Sequence, residues 1–432
     1  MQEISIGLLG LGTIGSGVYK LLQEHEEELE FQLGSKLVIK KILINDINKK
    51  RMIDGRKIPS KLLTNNPKEI FDNDEIQVVI EVIGGVENAK NYMIKALEAG
   101  KSVVTANKDV IAKHGVYLSE LATKNSCDLF YEASVAGGIP IIRSLTEGLA
   151  SDKITRIMGI VNGTTNYILT KMTYDNMSYK DALKQAQDLG FAEPDPTSDV
   201  DGLDAARKMV ILSSLGFSMP ITLSDVYTRG IGKVEKEDIS YSDNLGYTIK
   251  LVGFADIVKG KVEVSVQPTL LPKDHPLASV NNENNAVYLY GEAVGETMFF
   301  GPGAGAMPTA TAIVSDVITV GKRLKLDVSG KHMINFKNER TIKSEEEIWA
   351  KFYLRLNVKD EVGVLNDITT VFAKEKLSFE SVLQKPTKNP KDASLIIVTH
   401  KVVLKSYIKA LKKLKELETI NCIKSSYRVF CD

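Results

Sequence analysis

At 432 residues the chain is long enough for about three domains. Hydrophobic residues make up 43% and charged residues 25%, the balance of a soluble globular protein, which argues against any long disordered part. Lys plus Arg and Asp plus Glu cancel at 55 each, so no net field favours nucleic acid or an anionic membrane, and a small-molecule partner is the default.

The chain enters a predicted strand over 4–9 at once, with no basic region and cleavage site ahead of it, so no signal peptide is expected. No run of about 18 uncharged apolar residues predicts a membrane span. Gly10-Leu11-Gly12-Thr13-Ile14-Gly15 follows the strand and opens a helix through Val18, Leu21 and Leu22. Glycines at this spacing allow a tight turn, close approach to a pyrophosphate and close packing of helix on sheet, with the helix N-terminus facing the phosphates. A second strand over 37–44 ends in Asn45 and Asp46. An acid at that strand end takes a ribose 2′-hydroxyl and favours NAD, whereas Lys49, Lys50 and Arg51 just beyond offer charge to a 2′-phosphate, so NAD and NADP both stay open.

A third strand over 77–83 runs into Gly84-Gly85, a helix follows over 89–99, and a fourth strand over 102–105 delivers Thr105-Ala106-Asn107-Lys108 at its carboxyl end. Ligands of open α/β sheets bind outside those ends, which puts Lys108 where chemistry would occur. A fifth strand over 128–133 leads into Ser134-Val135-Ala136-Gly137-Gly138-Ile139-Pro140, a turn able to hold a cation on its carbonyls or to serve as a turn alone.

Next comes a strand over 154–161 and the polar loop Asn162-Gly163-Thr164-Thr165-Asn166, which opens a helix and offers donors to a carboxylate. The stretch LGFAEPDPTSDVDGLDAARKMVILSSLGF (189–217) then sets Glu193, Asp195, Asp199, Asp201 and Asp204 ahead of Arg207 and Lys208, and turns apolar. Pro194 and Pro196 stiffen the turn around Asp195, and a helix is expected to start near 199–201 behind an acidic cap. Asp204 and Lys208 are four apart and share a helix face. Alone they would be an exposed ion pair worth about 0.3–0.5 kcal/mol. Their place between a stiff acidic turn and an apolar helix points the polar end to a cleft instead. Strands over 249–258, 262–271, 285–292 and 297–300 follow, then Gly301-Pro302-Gly303-Ala304-Gly305-Ala306 and a helix over 310–323 expected to complete the nucleotide domain.

Residues 326–348 read as a polar linker. Beyond it, a strand over 349–358, the turn Asp360-Glu361-Val362-Gly363-Val364-Leu365 opening a helix, strands over 377–383 and 394–398, a helix over 405–417 and a strand over 423–429 give the order βαββαβ. Three scattered cysteines, Cys127, Cys422 and Cys431, form neither a disulfide framework nor a CxxC site, and a reducing cytoplasm fits best. The five histidines never pair at ligand spacing, which disfavours a zinc mechanism.

Taken in order, GLLGLGTIGSG, EVIGG, TANK, EASVAGGIP, NGTTNYIL, EPDPTSDVDGLDAARK and GPGAGAMPTA resemble the homoserine dehydrogenase family over residues 1–325, and the last module resembles an ACT domain. The resemblance implies an α/β fold: a Rossmann-type nucleotide-binding domain over 1–150 completed by 301–325, an α+β substrate-binding and dimerisation domain over 151–300, the linker, and a ferredoxin-like ACT domain over 349–432. It implies reversible NAD- or NADP-dependent interconversion of L-homoserine and L-aspartate 4-semialdehyde, on the route to threonine, methionine and isoleucine. By the same resemblance Lys208 exchanges the proton of the substrate oxygen, Glu193 and Asp204 hold substrate and an ordered water, and Lys108 lies beside cofactor and substrate. Gly10, Leu11, Gly12, Thr13, Ile14, Gly15, Thr105, Lys108 and Gly303 contact the cofactor, and Glu132, Val135, Gly137 and Ile139 hold a sodium ion, largely through carbonyls. A threonine effector near Asp360, Gly363 and Asn366, and a homodimer or homotetramer, are further implications.

Elementary chemistry agrees. Oxidising an alcohol sends a hydride to the nicotinamide and a proton to a base, and with no metal or apt histidine another titrating group is needed. Lysine is too basic in water, at about 10.4, but burial and a second ammonium nearby, such as Lys108 beside Lys208, lower its pKa. Two other readings fit less well: a dehydrogenase of another short hydroxy or semialdehyde substrate, and an amino-acid sensor with an inert catalytic half, which the presence of Lys108, Glu193, Asp204 and Lys208 disfavours.

Overall fold

Short runs of Val, Ile and Leu bounded by glycine turns build the first sheet, from β1 (Glu3–Leu9), β2 (Lys36–Leu43), β3 (Leu63–Thr64), β4 (Val78–Glu81), β5 (Ser102–Thr105) and β6 (Leu129–Phe130). In this computed structural model, which describes residues 3–331 and 336–431, the strands lie in the order β3-β2-β1-β4-β5-β6 and every pairing is parallel. That order reverses at β1, the crevice where doubly wound folds bind dinucleotides. Both faces are covered, which is why the central strands β1 and β4 are mostly apolar, whereas β2 carries Lys40 and Lys41 on partly exposed positions. On one face Ile6, Leu8 and Val78 pack with Val18, Leu21 and Leu22 of α1 (Thr13–Glu24) and with Ile313, Val317 and Val320 of the helix Ala306–Lys325. On the other, Leu9, Val79 and Val103 pack with Ala89 and Met93 of α2 (Glu87–Glu98) and Val110 and Leu118 of α3 (Lys108–Lys124).

Two expected elements change here. The fifth strand, expected over 128–133, keeps only Leu129–Phe130, because the Glu132 N–H donates to the Asp316 carboxylate at 2.9 Å instead of to a neighbouring strand. The helix expected over 310–323 starts at Ala306, since Gly305 takes φ 120° and Pro308 falls in the first turn, where its missing N–H costs nothing. It crosses α1 closely: a Cβ on Gly17 would lie 2.7 Å from the Ala306 carbonyl oxygen.

The chain forms two compact units. The parallel sheet and the helix Ala306–Lys325 belong to the first, made of Met1–Ile154, Val210–Leu223 and Asn285–Arg340. The second consists of Thr155–Met209, Ser224–Asn284 and Thr341–Asp432. Its elements are β7 (Ile154–Ile160), α4 (Gly163–Tyr174), the start of α5 (Leu203–Gly216), whose residues from Val210 on count with the first unit, α6 (Lys236–Asn244), the antiparallel hairpin β8 (Tyr247–Val258) and β9 (Lys261–Pro272), and then β10 (Trp349–Lys359), α7 (Val364–Lys374), β11 (Phe379–Pro386), β12 (Asp392–Thr399), α8 (Leu404–Leu414) and β13 (Ile420–Val429).

From β10 onward these make the βαββαβ module, with antiparallel order β11-β12-β10-β13 and a core of Phe352, Leu354, Ile368, Phe372, Leu395, Ile397 and Tyr407. Its last strand also pairs with β9 in parallel, Thr269 opposite Arg428 and Leu270 opposite Val429, so one sheet runs through module and body. A buried carboxylate reinforces that junction. Asp238 on α6 accepts from the Arg355 guanidinium at 2.7 and 3.1 Å, from the Tyr353 and Tyr427 hydroxyls at 3.2 and 3.3 Å, and from the Ser425 hydroxyl. The segment read as a linker over 326–348, of which 332–335 lie outside the described residues, ends by pairing with β9 through Thr341 and Lys343.

Candidate active site

In the first unit the glycine turn is shaped as its spacing requires. Gly10 adopts φ +102°, and a Cβ there would lie 2.9 Å from the Val82 carbonyl oxygen. Gly15 sits so close to Gly10 that a Cβ would lie 2.2 Å from its carbonyl oxygen. Gly12, the N-cap of α1, faces open space instead. Leu11 is buried, whereas Thr13 is exposed and Ile14 half-buried at the helix N-terminus, where N–H groups lack partners in the helix. A pyrophosphate fits this bare cradle, and Gly12 is where a side chain would obstruct it.

One end of β4 and β5 is fixed by a group the sequence reading passed over. Glu81, fully buried, accepts from the Thr105 hydroxyl at 2.7 Å and from the Ile83 N–H at 2.9 Å, and burial raises its pKa. Thr105 Oγ1 in turn accepts from the Asn107 N–H at 2.9 Å, and Asn107 caps α3 through Val110 at 3.1 Å. Lys108 is thereby the first residue of α3, half-buried and placed by its neighbours' bonds. The only signal in sequence was an acid inside the run VVIEVIGG.

The turn over 134–140 lies in the same unit. Ala136 and Gly137 take φ +53° and +43° in succession, and a Cβ on Gly137 would lie 2.6 Å from the Gly303 carbonyl oxygen. Gly303 is itself pressed against the Asn285 side chain, whose Cγ would lie 2.0 Å from a Cβ on Gly303. The Glu132 carboxylate is committed elsewhere, accepting from the Ile142 and Arg143 N–H groups at 2.8 Å each. Carbonyls of Glu132, Val135, Gly137 and Ile139 remain as hard oxygen donors of the kind a sodium ion takes, although Val135 and Ile141 already donate to the first and last at 3.4 and 2.8 Å. Among the described residues no group of three or more His, Cys, Asp or Glu could hold a metal ion.

In the second unit the acidic turn and lysine come together with the polar loop ahead of α4. Asn162 caps α4, its Oδ1 accepting from the Thr165 N–H at 2.9 Å and hydroxyl at 2.8 Å. Its Nδ2 donates to Asp199 at 2.7 Å and to Asp204 at 2.9 Å, so one neutral amide spans two carboxylates. Lys208 donates to the same Asp204 oxygen at 2.8 Å and to the Val161 carbonyl at 2.7 Å. The two side chains are 11% and 8% exposed, so this is not the screened surface pair that spacing alone describes. Burial, and then the Asp204 charge, raise the Asp199 pKa.

The helix expected to start near 199–201 is divided. Thr197–Val200 makes one turn behind Pro196, and the Asp195 carboxylate just ahead accepts from the Thr197 N–H at 3.1 Å and hydroxyl at 2.6 Å. Gly202 at φ +82° breaks the helix, and α5 begins at Leu203, which presents Asp204 and Lys208 back toward Asn162. Gly230 seats this break: a Cβ there would lie 2.0 Å from the Val200 carbonyl oxygen. Glu193 is exposed, and among the described residues its carboxylate enters none of these bonds. Lys108 belongs to the first unit and Lys208 to the second.

Comparison with known proteins matches the chain in three stretches. Residues 10–132 match the family model of the homoserine dehydrogenase NAD-binding domain, 140–318 that of homoserine dehydrogenase, and 352–419 that of the ACT domain. The chain is 54% identical over 430 residues to the homoserine dehydrogenase of Bacillus subtilis (strain 168), covering 99% of each. The crystal structure of a homoserine dehydrogenase from Thiobacillus denitrificans superposes with a TM-score of 0.94 at 37% identity, over 100% of this chain and 99% of that one. A hyperthermophilic archaeal homoserine dehydrogenase in complex with NADPH is similar over 75% of this chain and 98% of its own, at TM-score 0.62 and 28% identity.

Proposed function

The chain belongs to the homoserine dehydrogenase family, an enzyme that interconverts L-homoserine and L-aspartate 4-semialdehyde with NAD(P), and on that premise we propose that Lys208 is the group that takes and returns the proton of the substrate oxygen. The observation that carries this reading is the Lys208 ammonium, nearly buried and held at 2.8 Å by Asp204 and 2.7 Å by the Val161 carbonyl. Those two bonds engage two of its three N–H groups and leave the third for the substrate oxygen.

When bound, the nicotinamide supplies the hydride acceptor. The glycine turn, Thr105, Lys108 and Gly303 are the residues we assign to holding that cofactor, supported by the open face of Gly12 and the close seat of Gly303 beside Gly137. Asp204 orients Lys208, and with the exposed carboxylate of Glu193 it supplies negative charge for the substrate ammonium. Lys108, at the start of α3 beside the carboxyl end of β5, is assigned to the cofactor side of the first unit.

Lys208→Ala tests the assignment: turnover should fall by orders of magnitude with cofactor affinity nearly intact, and unchanged turnover would rule it out. A sodium ion on the carbonyls of Glu132, Val135, Gly137 and Ile139 is supported by the hard donor set and by the two successive left-handed residues that curl it. Replacing sodium salts by those of a bulky organic cation should then lower activity. A threonine effector on the βαββαβ module is supported by a hollow of about 210 Å³ lined by Glu361, Val362, Gly363 and Gln384, where Gln384 already donates to Asp360 at 3.1 Å. Assembly as a homodimer or homotetramer in the cytoplasm completes the reading; among the described residues no helix is long and apolar enough to cross a membrane.

A further inference from the structure

Lys250 lies on β8 with its side chain inside the second unit, and the residue is 1% exposed. Its ammonium donates to three acceptors: the Val280 carbonyl at 2.6 Å, Asn281 Oδ1 at 3.0 Å and Asn166 Oδ1 at 3.1 Å. An ammonium has three N–H groups and no lone pair, so the set is complete. All three acceptors are neutral, which separates Lys250 from an ordinary buried ion pair: burial without a counter-charge is costly and needs a compensating role.

The acceptors show what it joins. Asn166 stands in the first turn of α4, and its own Nδ2 donates to the Val280 and Asn284 carbonyls at 3.1 Å each. Lys250 and Asn166 thus bind that turn and the 280–284 segment into one knot. The N-cap of the same turn is Asn162, whose amide spans Asp199 and Asp204, and the residue before it is Val161, whose carbonyl receives Lys208. The Asn166 N–H donates to the Asn162 carbonyl at 3.3 Å, so the knot and the substrate carboxylates sit on successive bonds of one helical turn.

We propose that Lys250 is a positioning residue for homoserine turnover, fixing the first turn of α4 against the 280–284 segment so that Asn162 and Val161 hold Asp199, Asp204 and Lys208 in reacting geometry. This rests on the reading of the Asp204–Lys208 cluster as the substrate site. Small displacements of such a cluster are expensive, a misplacement of about 1 Å costing on the order of 100-fold.

The test compares Lys250→Met and Asn281→Ala with the wild-type full chain, measuring steady-state constants for homoserine and the dissociation constant for NADPH. Lys250→Met keeps the length of the side chain and removes the ammonium; its kcat/KM for homoserine should fall about 10-fold or more, with NADPH affinity within about 2-fold of wild type. Asn281→Ala removes one acceptor and should shift homoserine kcat/KM in the same direction by less. The double variant should cost less than the product of the two singles, because both remove the same contact. A folded Lys250→Met enzyme with wild-type homoserine constants, or one losing NADPH affinity as much as homoserine turnover, overturns the proposal. Should Lys250→Met fail to fold, Asn281→Ala decides by itself: wild-type homoserine constants there overturn it too. Lys208→Ala run alongside separates the two failures, since full activity in that variant sinks the site assignment instead.

Discussion

The chain carries two buried clusters of the same composition, two carboxylates and one cation, and they are put to opposite uses. In the first unit Glu132 and Asp316 share Arg143; every oxygen is met by a main-chain N–H or the guanidinium at 2.8–2.9 Å. In the second unit Lys208 bonds to Asp204 alone, and Asp199 joins the cluster through the neutral amide of Asn162, which donates to both carboxylates. Arginine cannot give up its proton and main-chain donors cannot move, so the first cluster ties the loop after β6 to the helix Ala306–Lys325. Lysine can deprotonate and a side-chain amide can reorient, so the second can change state during a reaction. Burial pushes the Asp316 carboxyl up to about 7 against the pull of Arg143 and the Glu132 N–H, which marks how strongly that site is desolvated.

Substitutions can break the contrast. Lys208→Ala should lower kcat by about 1000-fold, within the range of general acid–base catalysis. Asn162→Ala removes the donor between Asp199 and Asp204; kcat/KM for homoserine should drop by about 100-fold, with about 1 kcal/mol of stability lost from the cap. Asp316→Leu should do the reverse, costing about 2–3 kcal/mol in urea unfolding while the folded fraction turns over at near the wild-type rate. The value is set below that of a sealed pair because the Arg143 side chain is 33% exposed.

The smallest effect is a pH slope from Lys250. Burial lowers its pKa from 10.5 to about 7, so between these values the unfolded chain holds more protons than the folded one. Its contribution to stability is therefore present above pH 10.5 and lost as pH falls through about 7. Urea unfolding at pH 7 and pH 9 should show the wild type gaining stability at the higher value relative to Lys250→Met. Equal pH responses would mean that the burial does not perturb this lysine.

Local reading went far where one element carries the whole signal. The turn from β1 into α1 was legible because its glycines answer to sterics within a few residues: Gly10 at φ +102° and Gly15 against Gly10. The Asp204–Lys208 pair was legible as a shared helix face for the same reason. Less visible was the break at Gly202, since a glycine between Asp201 and Asp204 also suits a helix start, and only the close seat at Gly230 decides between them. Glu81 and Lys250 were not chosen, and Asn162 was read only as part of a loop offering donors to a carboxylate, because each acquires its role from partners far along the chain: Thr105, Val280 and Asp204.

By itself, then, the sequence determined the parallel nucleotide sheet, the βαββαβ module and the family's chemistry, because hydrophobic period, glycine spacing and motif order are local properties of the chain. Tertiary structure alone decided which carboxylate meets which donor, that the last strand joins module to body, and which lysine is buried without a counter-charge. Those depend on bonds closed across 24 to 42 residues in the case of Glu81 and Asn162, and the energy of such a bond exists only after packing has excluded water from it.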